Sequence, residues 1–146
     1  MDVVDATRLT IQQVARRSGF SEPTLRYYEQ IGLIGPVERD ESSGHRRYSS
    51  QMVESIEALA CLRSTGVSIE DMRRYRVLAS RGDAAEEMRD LFAGHVARVD
   101  EEITRLRAQR RYLHAKVDLW QSRVTGDMEG EAAAATAVID AAGGLR

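Results

Sequence analysis

Between Phe92 and Val124 the chain carries apolar residues whose spacing alternates between four and three, with one interruption: Phe92, Val96, Val99, Ile103, Leu106, Leu113, Val117, Trp120 and Val124. From about 83 to 124 there is no proline, and Gly94 is the only glycine. This is a heptad seam, with 96, 103, 117 and 124 at a positions and 92, 99, 106, 113 and 120 at d positions. A helix of about 40 residues runs about 60 Å, too long to lie against a domain of about 70 residues. Its stripe therefore needs a partner, and a second copy of the chain is the simplest one. Arg110 breaks the seam at an a position, either as a side chain that snorkels to solvent or as a polar device that sets register.

Upstream of the seam the pattern is one of short, capped segments. Thr10 opens the first at capping-box spacing from Gln13, with Ile11, Val14 and Ala15 as its apolar stripe and Gly19 as its stop. Ser21 opens the second, with Pro23 tolerated in its first turn, and it runs to Gly32. Two short helices joined at 18–20 match a helix-turn-helix, although many helical hairpins of that shape bind nothing. The stretch 33–50 places the polar run 40–44 between two short extended pieces, as in a β-hairpin. Ser49 or Ser50 caps a third helix, with Met52, Val53, Ile56, Leu59 and Ala60 on one face and Gly66 at its end. Ser68 opens a fourth, with Ile69, Met72 and Tyr75 inward, and Gly82 breaks the chain before the long helix. The expected organisation is a flexible start at 1–8, a head built on the helix-turn-helix and hairpin at 9–80, a dimerisation helix at 83–124 and an Ala/Gly-rich tail at 125–146. The tail is expected to be mobile or loosely docked, with a short helix at 132–142 as its only regular element.

Composition excludes more than it selects. The net charge of −2 does not favour nucleic acid, because binding depends on where the positive groups sit. No stretch approaches the roughly 20 apolar residues of a membrane span, and 1–8 lacks a signal-peptide core, so a cytoplasmic protein without a membrane partner is expected. Cys61 is the only cysteine, and His45, His95 and His114 are scattered, so neither a disulfide nor a metal cage is predicted. No nucleophile–base pair, acid pair or phosphate loop is present, which predicts no catalytic residue, no cofactor and no enzyme.

The elements Thr10-Ile11-x-x-Val14-Ala15, Ser21-x-x-Thr24-Leu25-Arg26-Tyr27-Tyr28-Glu29, Ile31-Gly32-Leu33-Ile34, Gly44-His45-Arg46-Arg47-Tyr48 and Leu62-Arg63-x-x-Gly66-Val67-Ser68-Ile69 together resemble the MerR family of transcription regulators. The resemblance covers about 9–79. It implies a mainly α fold: a winged helix-turn-helix of four short helices plus a hairpin wing, then a long helix that forms an antiparallel coiled coil. It further implies a homodimer on a pseudopalindromic promoter, distorting the DNA to control transcription by RNA polymerase. Carried over onto matching positions, Thr24 and Arg26 reach base edges or phosphates, Tyr27 offers a hydroxyl to phosphate, and Leu25 and Tyr28 pack. Arg46 matches the family's backbone-contacting wing arginine, with Arg47 and Tyr48 beside it, and Arg63 matches a further phosphate-binding position. Arg16 and Arg17 are weaker candidates, since a solvated helix face explains them equally well.

The inducer is less legible. Metal-sensing members carry cysteines around the dimer helix that are missing here, and a tail of roughly 20 residues does not enclose a drug-sized pocket. The segments around Cys61, 81–83 and 112–118 look like the aldehyde- and thiol-stress-responsive branch of the family, the AdhR/NmlR type, in which a lone cysteine is proposed to react with electrophiles. Cys61 lies off the core face of its helix, near an electronegative C-terminus that disfavours a thiolate. It is either an inert thiol or the sensor for an unknown small-molecule or electrophile inducer. The competing reading of the chain is a helix-turn-helix adaptor, a protein-interaction module with no effector.

Overall fold

A computed structural model of the chain describes residues 8–146, so the expected flexible start lies outside the described residues except for Arg8. Among the described residues the order is α1 (Ile11–Ser18), α2 (Glu22–Gln30), β1 (Glu38–Arg39), β2 (Arg46–Arg47), α3 (Ser50–Ser64), α4 (Ile69–Ala79), α5 (Ala85–Thr125) and α6 (Met128–Gly143). The fold is the mainly α winged helix-turn-helix followed by one long helix. No described helix is long and apolar enough to cross a membrane.

Four hydroxyls set where the short helices begin. Thr10, Ser21, Ser49 and Ser68 each accept from a backbone N–H three residues on, at Gln13, Thr24, Met52 and Asp71. Each such cap stabilises its helix by about 1 kcal/mol. At Thr10 the capping box is reciprocal, because its own N–H donates to Gln13 Oε1 at 2.8 Å. Between α1 and α2 the chain turns through Gly19 at φ 81°, a left-handed conformation that side chains with a Cβ rarely adopt.

The head, within the unit ending at Arg89, closes over one core. Val14, Leu25, Leu33, Tyr48, Ile56, Leu59 and Met72 are fully buried, drawing on both helices of the helix-turn-helix, the wing, α3 and α4. Ile69, Tyr75, Met52 and Ile11 pack half-buried around them. The wing pairs β1 and β2 antiparallel, Glu38 opposite Arg47 and Arg39 opposite Arg46. A further bridge joins Leu9 to Tyr48 through reciprocal backbone bonds of 2.9 and 2.8 Å. The start of the domain is thereby stitched to the wing, and Arg8 pairs with Glu38 beside it.

The second unit begins at Asp90, inside α5, and corrects the expectation for the tail. Instead of a loose segment, Met128–Gly143 forms a full helix. Gly126 turns the chain at φ 73°, and the Asp127 carboxylate caps α6 by accepting from the Gly130 N–H. Arg123 then pairs with Glu131 at 2.7 Å. Ala115 and Leu119 of α5 and Ala134 and Ala141 of α6 are buried, and Ala115, Ala137 and Ala141 line one cleft between the helices. Side chains this small let two helices lie close without a conventional apolar stripe.

The nine seam residues lie on another side of α5. All are exposed, from 36% for Phe92 to 81% for Val124.

Candidate nucleic-acid interface

Leu25 and Tyr28 fasten α2 to the core, and Phe20 meets Tyr28 edge-on with ring centroids 5.2 Å apart. That anchoring turns Arg26 and Tyr27 outward, Tyr27 being half-exposed. Thr24 sits one turn earlier, where its hydroxyl accepts from Ser21 Oγ at 2.8 Å and so takes part in the helix cap.

The wing is held to α2 through one carboxylate. Glu29 Oε1 accepts from Arg46 at 3.3 Å, while Glu29 Oε2 accepts from the Val37 N–H at 3.2 Å. Both side chains are about four-fifths buried, 19% exposed for Glu29 and 21% for Arg46, so the contact is well shielded. Tyr48 lies buried nearby, and burial, followed by the Glu29 charge, raises its phenol above the ordinary value and keeps it neutral.

At the wing tip Asp40 organises the turn. Its Oδ1 accepts from the Ser42 and Ser43 backbone N–H groups and from Ser42 Oγ, and its carbonyl accepts from the Gly44 N–H. Arg39 Nη1 donates to the Gly44 carbonyl at 3.1 Å across the same turn. Bonds from the Ser42 hydroxyl and the Ser43 and Ser42 backbone hold the Asp40 carboxyl well below the usual carboxylate range. A depressed folded-state value stabilises the turn at every pH above the unfolded value of about 4. The support is lost only as pH falls from there through the lower folded value. Wing amide protection, followed by hydrogen exchange, should therefore hold from pH 8 down to about 4 and fade only in stronger acid. Loss near pH 6 would show that Asp40 does not order the wing.

Between the α1 start, α2 and the wing runs a groove lined by Arg26, Arg39, Arg46 and Arg47, with Glu22 the only carboxylate among the described residues that line it. Three of these arginines are expected from the sequence. Arg39 is not, although its place opposite Arg46 in the hairpin register carries the signal. His45, also unforeseen as a site residue, lines the same groove. The other candidates fall elsewhere. Arg17 pairs with Glu57 at 2.9 Å, joining α1 to α3, and Arg16 is exposed beside it. Arg63 donates to the Val67 carbonyl at 3.1 Å and closes the α3–α4 turn. Arg73, overlooked in the sequence, donates to the Ile31 carbonyl at 3.0 Å and ties α4 to the end of α2. Cys61 is an exposed free thiol on α3, whose carbonyl accepts from Ser64 Oγ.

A model described as MerR HTH family regulatory protein matches residues 9–76, and one described as MerR, DNA binding, matches 53–116. The HTH-type transcriptional regulator AdhR of Bacillus subtilis is 43% identical over 81 residues, 56% of this chain and 57% of AdhR, so the match spans little more than half of that relative. An uncharacterized HTH-type transcriptional regulator of Haemophilus influenzae is 33% identical over 113 residues, covering 77% of this chain and 83% of its own. Among solved structures, HiNmlR, a MerR family regulator lacking the sensor domain and bound to promoter DNA, superposes with a TM-score of 0.62 at 31% identity, covering 82% of this chain and 95% of that one. A MerR family regulator from Listeria monocytogenes gives 0.67 at 30% identity, covering 83% and 92%.

Proposed function

The chain belongs to the MerR family of helix-turn-helix regulators, and on that premise we propose that it grips promoter DNA as a symmetric homodimer through the arginine groove between α2 and the wing. It is a DNA-binding transcriptional regulator and not an enzyme. The observation that carries the proposed interface is the convergence of Arg26, Arg39, Arg46 and Arg47 on one groove. Guanidinium groups suit bidentate contact with phosphate or guanine, and a recognition helix with a flanking wing presents them to groove and backbone together.

In this reading the candidate residues divide the work of the interface. Arg26, exposed on α2, reads base edges, with Thr24 and Tyr27 on the same helix contacting phosphate or sugar. Arg39, Arg46 and Arg47 track the backbone from the wing. Arg63 and Arg17 act mainly by holding α3, α4 and α1 in place, and Arg16 adds charge at the margin. Residues 9–80 form the reading head, 83–124 the dimer helix, and 125–146 its C-terminal support. Two heads related by a two-fold predict a pseudopalindromic operator, and distortion of that operator would control RNA polymerase at the promoter.

Arg26→Ala tests the interface. Removing the base-reading arginine from each head should weaken operator binding by about 1–3 kcal/mol per half-site and relax sequence preference at one position of each half-site. Arg39→Ala should instead weaken binding to all sequences alike and reduce the salt slope by about 1 for each head, about 2 for the dimer. Fluorescence anisotropy against operator and random duplexes separates the two, and an Arg26→Ala protein that binds both as the parent does removes the groove from the interface.

For the effector, the likeness to AdhR and the exposed Cys61 thiol support an electrophile or metabolite inducer. Cys61→Ser should abolish reporter induction by aldehydes and leave operator affinity unchanged. Full induction in that variant would discard the thiol switch without touching the DNA-binding reading.

A further inference from the structure

The seam defines which face of α5 pairs, but an antiparallel pair can slide along it in whole heptads. Charge on the same helix distinguishes the possible registers. An acidic run at 100–102 is followed within the next three turns by arginines at 105, 107, 110 and 111. Within the chain Arg105 pairs with Glu102. Among the described residues no ion pair engages Asp100, Arg107 or Arg110, although Arg107, Arg110 and Arg111 crowd one open surface with His114 and Asp118.

We propose that two copies pair antiparallel about an axis between Thr104 and Arg105, and that this register is selected by Arg107 and Arg110 meeting the acidic run of the other copy. The proposal rests on the dimer reading above and adds its register. With the axis there, Ile103 lies opposite the partner's Leu106, Val96 opposite the partner's Leu113, and Phe92 opposite the partner's Val117. Asp100 and Arg107 both occupy e positions, which face one another in antiparallel coils. Arg107 consequently meets the partner's Asp100, twice per dimer. Arg110, at its a position, falls opposite the partner's Val99, with the 100–102 carboxylates within the next turn.

The rival axis passes through Ala108. It covers all nine seam positions, but it sets Arg107 against the partner's Arg107 and places Arg110 of both copies within a turn of the axis. Four guanidinium groups then share the middle of an interface that offers them no carboxylate, an arrangement that like-charge repulsion and desolvation both oppose. The preferred axis does not strand Trp120 and Val124, which extend to the first turn of the partner's α5. Arg110 is on this account the register device of the seam rather than a flaw in it.

Spin labels at Asp118→Cys in the full chain carrying Cys61→Ser measure the register directly. The preferred axis separates the labels by about 40 Å along the pair, whereas the Ala108 axis gives about 30 Å and the next heptad about 20 Å. Charge reversal supplies an independent readout. Arg107→Asp should weaken the dimer by about tenfold, and adding Asp100→Arg to the same chain should restore it. A distance near 30 Å, or a dimer strengthened by Arg107→Asp, overturns the register while leaving the dimer standing. Sedimentation of the parent protein as single chains overturns the dimer reading itself.

Discussion

Ile103→Glu is expected to leave single chains at micromolar concentration and to lower operator affinity by roughly a thousandfold. Ile103 lies in the middle of the seam and is 39% exposed in the chain alone, so its replacement costs the isolated fold almost nothing. In the dimer the same substitution buries two carboxylates among apolar neighbours, at several kcal/mol without a paired cation. Dimer loss then removes the linkage between two heads, and each half-site must be bound on its own. Helicity by circular dichroism should stay at the parent value, while sedimentation equilibrium shifts to monomer and anisotropy shows weak, salt-sensitive binding with little sequence preference. An Ile103→Glu protein that stays dimeric and binds its operator normally would place the subunit contact elsewhere.

The head was legible because each of its helices announces its own start. Thr10, Ser21, Ser49 and Ser68 are local signals, and the structure uses all four as caps. The long helix was legible because its seam repeats over several turns, and the exposure of all nine positions is what such a seam implies for a lone chain. Only a short piece of α6, 132–142, was legible, because an alanine-rich run carries little amphipathic contrast and its docking depends on small side chains that only a neighbouring helix makes meaningful. Its start was nevertheless visible in Asp127, a good cap followed by Glu129 and Glu131 in the first turn. In the interface, Arg26, Arg46 and Arg47 could be found from the motif, whereas Arg39 required the hairpin register. The engagement of Arg17 with Glu57 and of Arg63 with Val67 joins residues whose partners no spacing rule identifies.

Glu29→Ala carries the other large effect, and two opposing terms decide its sign. Removing a carboxylate next to a phosphate-binding groove takes away repulsion and by itself would raise DNA affinity, most strongly at low salt. Against this, the Glu29 carboxylate is the shared acceptor for Arg46 and for the Val37 N–H, joining recognition helix to wing. Its loss leaves a shielded guanidinium and a backbone donor unpaired, a penalty of about 1–3 kcal/mol, and frees the wing to move relative to α2, which Leu25 and Tyr28 still anchor. A single charge near a screened surface is worth less than a misplaced wing, so operator affinity should fall by about ten- to a hundredfold at physiological salt. Glu29→Gln keeps an acceptor for Val37 but loses the charge on Arg46, and should fall between the parent and the alanine variant. If both variants instead bind more tightly than the parent, most of all at low salt, with wing amide protection unchanged, then Glu29 acts only as a negative charge and the wing is positioned by the Leu9–Tyr48 bridge alone.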